Sequence, residues 1–329
     1  MTINRNLLPS SLLALILLGD IALASVVFAS TPPQKRQTLK PCTPIARKLQ
    51  TDGTAPQSLC AEDMVVVGKG QQITLLCTQR FTMVEVGQSG RVEELCGDEN
   101  VIPSHRSSEG VNSFRARGNL TPLAIAPYGQ VHLQERPTIR WQRIQGATTY
   151  QVRVTGGHNW SVTTDQLTLP YPKDQPSLRF GETYRITVTA LRGNSPVMAI
   201  AVPYNLLTQA EAKQISGWVN QLEQVTPSKD DLAISELQSL YLAYGLWDEA
   251  IRVLQTRIAQ RTTNPAVYRA LGDRFLELGL ASEAKTAYSQ ALKLSTAVNN
   301  RQEEVLAQQG LTQVKQLQSQ LPSSTQGAQ

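Results

Sequence analysis

The stretch GLASEAKTAYSQAL, residues 279–292, repeats the pattern of GLWDEAIRVLQTRI, residues 245–258, after an interval of 34 residues. The same shift places Phe275 at the position of Tyr241, so an aromatic residue also recurs. Large, small and aromatic residues that return over this period indicate stacked helix-turn-helix units, because each unit needs a neighbour to bury its apolar face. This pattern predicts a helical array in the last third of the chain.

The small residues of the repeat have steric roles. Gly279 permits a tight turn between two helices, and Ala284 is small enough for those helices to approach closely. Asn264 caps a helix whose first position, Pro265, tolerates proline. These features resemble the tetratricopeptide (TPR) repeat, and the match is fuller in the second repeat, residues 265–296, than in the first.

The first repeat departs from the TPR pattern at Gln238 and Arg257, where small residues are usual.

Flanking helices complete the array. Thr208 and Glu211 have capping-box spacing and predict a helix over residues 209–225. A last helix is predicted over about residues 300–320. Its expected apolar stripe consists of Val305, Leu306, Leu311, Val314 and Leu317. The TPR-like helical domain is assigned to residues 205–321, and the tail 322–329 is expected to be disordered.

In the TPR family, partners usually bind the concave face formed by the first helix of each repeat. The resemblance places six residues on that face: Ser235, Ser239, Leu242, Arg269, Asp273 and Leu276. An alternative is that Arg269 and Asp273 form only a surface pair at i,i+4 spacing, which contributes a few tenths of a kcal/mol. The expected partner is another envelope protein or peptide.

Residues 122–204 show the period of strands. Within residues 183–190 every second side chain is apolar, which predicts a half-buried strand. Pro137, Trp141, Tyr150, Gly181 and Tyr184 together resemble a fibronectin type III module, a β-sandwich. The resemblance implies that Trp141 fills the core and that Tyr184 makes a corner hydrogen bond back to the chain.

Residues 42–102 predict a small β domain that contains every cysteine of the chain, followed by a polar loop at 103–121. The cysteines are Cys42, Cys60, Cys77 and Cys96. Their spacings of 18, 17 and 19 residues fit no CxxC metal or redox motif. In an oxidising compartment they predict two disulfides, and three pairings stay open.

The first thirty residues have the order of a secretory signal: Arg5, then an apolar run, then small residues. We therefore expect residues 1–29 to be a signal peptide, residues 30–41 a linker, and the protein to be exported, periplasmic or otherwise extracytoplasmic. The alternative is an uncleaved membrane anchor at residues 7–29. We rank the anchor second, because Asp20 would cost on the order of 2.5–3.5 kcal/mol in a bilayer. Contact with a membrane is expected only in that case.

No catalytic, metal-binding or cofactor motif stands out in the sequence, so a non-enzymatic protein without cofactors is expected. Its basic residues are scattered despite a net charge of +5, which argues against nucleic-acid binding. Three side chains, His158, Trp160 and Tyr171, offer an alternative function in which exposed rings stack on a cell-wall glycan.

The whole order of domains is similar to exported bacterial proteins, notably cyanobacterial ones, with a FecR-like N-terminal region. The residues behind this similarity are the stretch Leu59-Cys60-Ala61-Glu62-Asp63 and the later run at residues 75–77. The predicted fold class is therefore a disulfide-containing β domain, a fibronectin type III-like sandwich and a TPR-like antiparallel helical array. The predicted function is that of a scaffold or adaptor.

Overall fold

A computed structural model describes residues 42–50, 54–97 and 125–319. The predicted signal peptide or anchor at 1–29, linker at 30–41, loop at 103–121 and disordered tail at 322–329 lie outside the described residues.

The cysteine-containing domain is an antiparallel sheet with the strand order β2-β1-β4-β5, beside a two-stranded ribbon β3-β6 and a short helix. The bounds are β1 Ala46–Leu49, β2 Gln57–Leu59, β3 Met64–Val65, β4 Ile73–Cys77, β5 Thr82–Val86, β6 Gly90–Arg91 and α1 Val92–Gly97. Two disulfides join Cys42 to Cys60 and Cys77 to Cys96. The prediction of two disulfides is confirmed, and the structure selects the pairing that the sequence left open.

Strand β4 is buried on both faces, which explains its continuous apolar run. Leu75 lies in the core of the β domain, while its neighbour Leu76 points to the other side and packs on the helices. Both side chains have no exposed surface. The sheet is therefore a layer between its own core and the helical array.

Residues 125–206 form two sheets around one core. One sheet has the order β12-β9-β7 and the other β11-β10-β13-β14-β8. The strands are β7 Ile125–Ala126, β8 Val131–His132, β9 Ile139–Trp141, β10 Thr149–Thr155, β11 Trp160–Thr164, β12 Thr168–Leu169, β13 Thr183–Arg192 and β14 Ser195–Leu206. Trp141 is buried in this core, and the Tyr184 hydroxyl accepts a hydrogen bond from the backbone N–H of Arg179 at 3.1 Å. The two roles implied by the resemblance are thus confirmed.

The remainder is helical. The helices are α2 Gln209–Val225, α3 Lys229–Asp231, α4 Leu237–Ala243, α5 Trp247–Ala259, α6 Pro265–Glu277, α7 Ala281–Ala297 and α8 Arg301–Ser319, and a π-helical turn, Leu232–Glu236, joins α3 to α4. The predicted helix at 209–225 is confirmed, and both hydrogen bonds of its capping box form between Thr208 and Glu211.

The backbone conformation of the turns repeats with the same 34-residue period. Gly245 and Gly279 both take the left-handed conformation, with φ of 70° and 75°. One residue later the N–H of Leu246 bonds to the carbonyl of Tyr241, and the N–H of Leu280 bonds to that of Phe275, both at 2.8 Å. A side chain at either glycine would be strained, so the turn explains why glycine recurs.

The second repeat and α8 pack around one tyrosine. Tyr288 of α7 is 1% exposed and lies between Gly272 of α6 and Gly310 of α8. A Cβ at either glycine would come within 2.7 Å of the tyrosine Cδ1. Three helices therefore meet at distances that only glycine allows.

In the first repeat the two departures from the pattern have their own partners. Gln238, which is 2% exposed, donates a hydrogen bond from Nε2 to the carbonyl of Ala250 at 2.7 Å. Arg257 pairs with Asp230 at 2.8 Å. At these two positions, a side chain larger than the usual small residue therefore forms polar contacts in place of close helix packing.

Candidate functional site

The predicted concave face of the first repeat is covered by the cysteine-containing domain. Three residues of its sheet, Leu49, Leu76 and Met83, share a core with α2, α4 and the helical turn between α3 and α4. Ser239 has no exposed surface, and its hydroxyl lies 3.2 Å from the carbonyl oxygen of Thr78. The hairpin β4–β5 therefore occupies the surface on which a partner was expected.

A buried ion pair joins the same two parts. Arg47 of β1 lies 2.7 Å from Glu236, and their side chains are 11% and 8% exposed. Near the tip of the hairpin, the Arg274 guanidinium lies 5.0 Å from the ring centroid of Phe81. Charged and aromatic groups as well as apolar ones thus bind the β domain to the helices.

For the first repeat, the expectation of a free binding face is wrong. Ser235 is half-buried, Ser239 is fully buried, and Leu242 is 7% exposed. The physical reason is that the β domain has an apolar second face, on Leu49, Leu76 and Met83, which needs the helices to cover it.

In the second repeat, residues of the predicted face contact helix α8. Arg269 bonds to Asp273 at 2.7 Å and to Glu303 of α8 at 2.7 Å. The other oxygen of Asp273 accepts a hydrogen bond from the Tyr288 hydroxyl at 2.7 Å. Leu276 is half-buried against the same core. Arg269 and Asp273 thus form their i,i+4 pair within a network that joins α6 to α8, and their side chains remain 23% and 33% exposed.

Two of the three proposed glycan-stacking rings face inward, and the third, His158, is half-buried. Trp160 and Tyr171 are each 7% exposed and belong to the sandwich core. The Tyr171 hydroxyl lies 3.1 Å from both the Trp160 Nε1 and the His158 Nε2, and it donates to the carbonyl of Pro176 at 2.7 Å. The expectation of an exposed stacking face is wrong, since the alternation of β11 directs Trp160 into the core.

The sandwich contacts the array at the first turns of α5 and α7. The backbone N–H of Tyr128 donates to Asp248 at 3.3 Å, and the amide of Gln142 donates to Glu283 at 3.1 Å. The Tyr128 ring packs edge-on against Phe275 at 6.5 Å. Acidic residues suit a helix N-terminus because of its partial positive charge, and here they also accept bonds from the sandwich.

Two titratable groups at this junction are strongly shifted by burial. The Glu249 side chain is 1% exposed and pairs with Arg252 at 3.0 Å. Burial raises the pKa of its carboxyl to about 7. His132, 1% exposed and stacked on Tyr204 at 3.9 Å, has its pKa lowered by burial to about 3. At neutral pH His132 is therefore uncharged, and Glu249 is partly protonated.

An open groove lies between α7 and α8, lined by residues of α8 and by one residue of α7. It has a volume of about 330 Å³. Its lining consists of Leu292, Arg301, Glu304, Val305, Gln308, Gln309 and Thr312. Val305 is 42% exposed, and nearby Val298 is 55% exposed.

Sequence reasoning missed this groove because it assigned Val305 to the apolar stripe of the last helix. The buried face of α8 is instead centred on Ala307, Gly310 and Val314, whose spacing of three and four residues gives one helix face. Val305 lies on the other side. In the sequence, the position of Val305 outside the period of these three residues was the available sign that its side chain is exposed.

Within the described residues, no group of His, Cys, Asp and Glu side chains is arranged to hold a metal ion. In the same part of the chain, no helix combines the length and apolar character needed to cross a membrane.

Comparisons with known proteins give partial likenesses. No family model matches the chain. Over 66 residues it is 36% identical to tetratricopeptide repeat protein 17 of Mus musculus. That match covers 20% of this chain and only 6% of the mouse protein. Among solved structures, the fn3 domain of the human collagen alpha-1(XX) chain is similar over 27% of this chain and 83% of that domain, with 21% identity and a TM-score of 0.22. This TM-score is too low to carry an argument.

Proposed function

We propose that the protein is a non-catalytic, exported scaffold. Its helical array holds the two β domains in fixed positions and binds a partner protein through the groove between α7 and α8. The proposal rests on one observation: the β domain covers the predicted face of the first repeat, whereas the α7–α8 groove is uncovered among the described residues.

The repeat geometry supports a helix as the occupant of this groove. Helix α8 takes the place of the first helix of a further repeat: Glu303 follows Arg269 by 34 residues, and Asn300 caps α8 through the N–H of Glu303. In a stacked array the next helix would pack against both α7 and α8. The groove lies between those two helices.

The lining indicates the character of the partner. Leu292 and Val305 supply an apolar strip, the side chains of Gln308, Gln309 and Thr312 flank it, and the lining also contains one residue of each charge, Arg301 and Glu304. An amphipathic helix with a narrow apolar stripe and polar flanks that carry both signs of charge fits this surface. The mixed composition favours reversible binding over permanent association.

Export is part of the proposal. Two disulfides support an oxidising, extracytoplasmic location, because such bonds are rare in reducing compartments. The relation to exported bacterial proteins with a FecR-like region is a prediction from the sequence alone.

The test is capture of partners by the full chain from an extract of the cells that produce it. Val305→Asp places a charge in the groove, and Gln313→Asp places the same charge on an exposed position of α8 outside the lining. We expect a captured protein to be lost with Val305→Asp and retained with Gln313→Asp. Equal capture by both variants would contradict binding at the groove.

A further inference from the structure

Strand β14 presents an open apolar edge. It pairs with β13 along its length, but β8 covers its other side only at Asn205 and Leu206. Residues 195–199 and 201 are exposed, and Val197 and Met198 are 41% and 39% exposed. Among the described residues nothing else pairs with this edge.

The backbone groups that face outward can be assigned from the ladder. The N–H of Asn205 points away from β13, since it bonds to the carbonyl of Gln130 at 2.8 Å. Groups alternate along a strand, so the N–H and C=O of Ala199 and Ala201 also point outward. At Pro203 only the carbonyl is available.

We propose that β14 pairs in antiparallel register with β14 of a second copy of this chain, about a twofold axis at Ile200. In this register Ala199 faces Ala201 of the second copy, and Ala201 faces its Ala199. Four backbone hydrogen bonds form. A register centred nearer to Pro203 loses backbone N–H donors, because proline has none. A register centred nearer to Pro196 includes the irregular pairing of β14 with β13 between Ala190 and Leu191.

The side chains are also self-complementary. On the core side Ile200 meets Ile200 of the second copy, and Met198 meets Val202, so the apolar layer continues across the pair. On the solvent side the residues are the small Ala199 and Ala201. No charged residue occurs in residues 195–206, so two copies approach without like-charge repulsion.

The opposite edge of the same sheet shows the contrast. Strand β11 carries Ser161 and Thr163 toward solvent and has five residues, whereas β14 has twelve. Long, uncharged, apolar edges favour pairing between chains, and short polar edges disfavour it. The prolines at 196 and 203 limit the paired length to about six residues, which predicts a weak dimer with a micromolar or higher dissociation constant.

Sedimentation velocity of the full chain, from about 1 µM to about 1 mM, tests the dimer. The expected result is a reversible monomer–dimer equilibrium. Ala199→Pro removes an outward N–H in each copy without breaking a bond to β13, and it should weaken the dimer by about 10-fold or more. Ala199→Ser keeps that N–H and should leave the dimer unchanged.

A cross-linking experiment tests the register and does not depend on the stability of the proline variant. Opposed Ile200 residues form a non-hydrogen-bonded pair with Cα atoms about 4.5 Å apart, which suits a disulfide. Ile200→Cys should cross-link two copies under mild oxidation, and Ser161→Cys on β11 should not. Monomers at all concentrations, or equal cross-linking by both variants, would overturn the proposal. Pairing of this edge only with a different protein would do so as well.

Discussion

Removal of the Arg47 guanidinium is expected to destabilise the protein strongly. Arg47 and Glu236 lie 2.7 Å apart with side chains 11% and 8% exposed, so solvent screens their interaction little. The second carboxylate oxygen of Glu236 is buried and has no hydrogen-bond partner among the described residues. Arg47→Ala therefore leaves a buried charge without compensation, and we expect a loss of about 3–5 kcal/mol in the free energy of unfolding.

Urea unfolding at neutral pH, followed by circular dichroism and tryptophan fluorescence, measures this loss. The matched control is Arg301→Ala, which removes an ion pair with Glu304 at a similar distance of 3.0 Å but with the arginine 80% exposed. We expect that control to cost less than about 1 kcal/mol. The double variant Arg47→Met with Glu236→Leu should recover most of the loss. Equal effects of Arg47→Ala and Arg301→Ala would refute the argument that this pair joins the β domain to the helices.

Three further predictions concern the junction and the helix packing. The raised pKa of Glu249, about 7 against 4.5, means that the folded state loses up to about 3 kcal/mol of stability as pH rises from 4.5 through 7. Glu249→Gln should remove this fall in urea unfolding measured at pH 5 and pH 8. The lowered pKa of His132, about 3 against 6.5, has the opposite sign: stability decreases by up to about 5 kcal/mol as pH falls from 6.5 to 3. His132→Phe keeps the ring and should reduce this acid sensitivity in an acid titration of unfolding. Gly310→Ala should cost about 1–3 kcal/mol in thermal or urea unfolding because its Cβ meets Tyr288, while Gly217→Ala, which meets nothing, should be neutral or stabilising.

Local rules predicted the elements of this protein well. The capping box at Thr208 fixed the start of α2, and the recurring glycine predicted the turns at Gly245 and Gly279. Alternation in β13 predicted its buried face. Each of these signals depends on residues close together in the sequence, so no knowledge of the rest of the fold was needed.

The candidate site could not be predicted in the same way, because its availability depends on which parts of the chain pack together. Ser239 has the sequence position of a partner-binding residue, yet the carbonyl of Thr78, 161 residues earlier, lies against it. Arg269 was expected to be a surface residue, and Glu303 binds it from α8. The pairing of residues so distant in the chain follows from the complete packing arrangement, which no local pattern encodes.

The β domain closes the predicted face of the first repeat, and the α7–α8 groove is open. Thiol labelling tests both features, since the described cysteines are all in disulfides. Single variants Ser239→Cys and Val305→Cys are labelled in the native protein and, for reference, in urea. We expect Val305→Cys to react nearly as fast as in the unfolded chain and Ser239→Cys to react at least about 100-fold more slowly. Rapid native labelling of Ser239→Cys, or protection of Val305→Cys, would contradict the account.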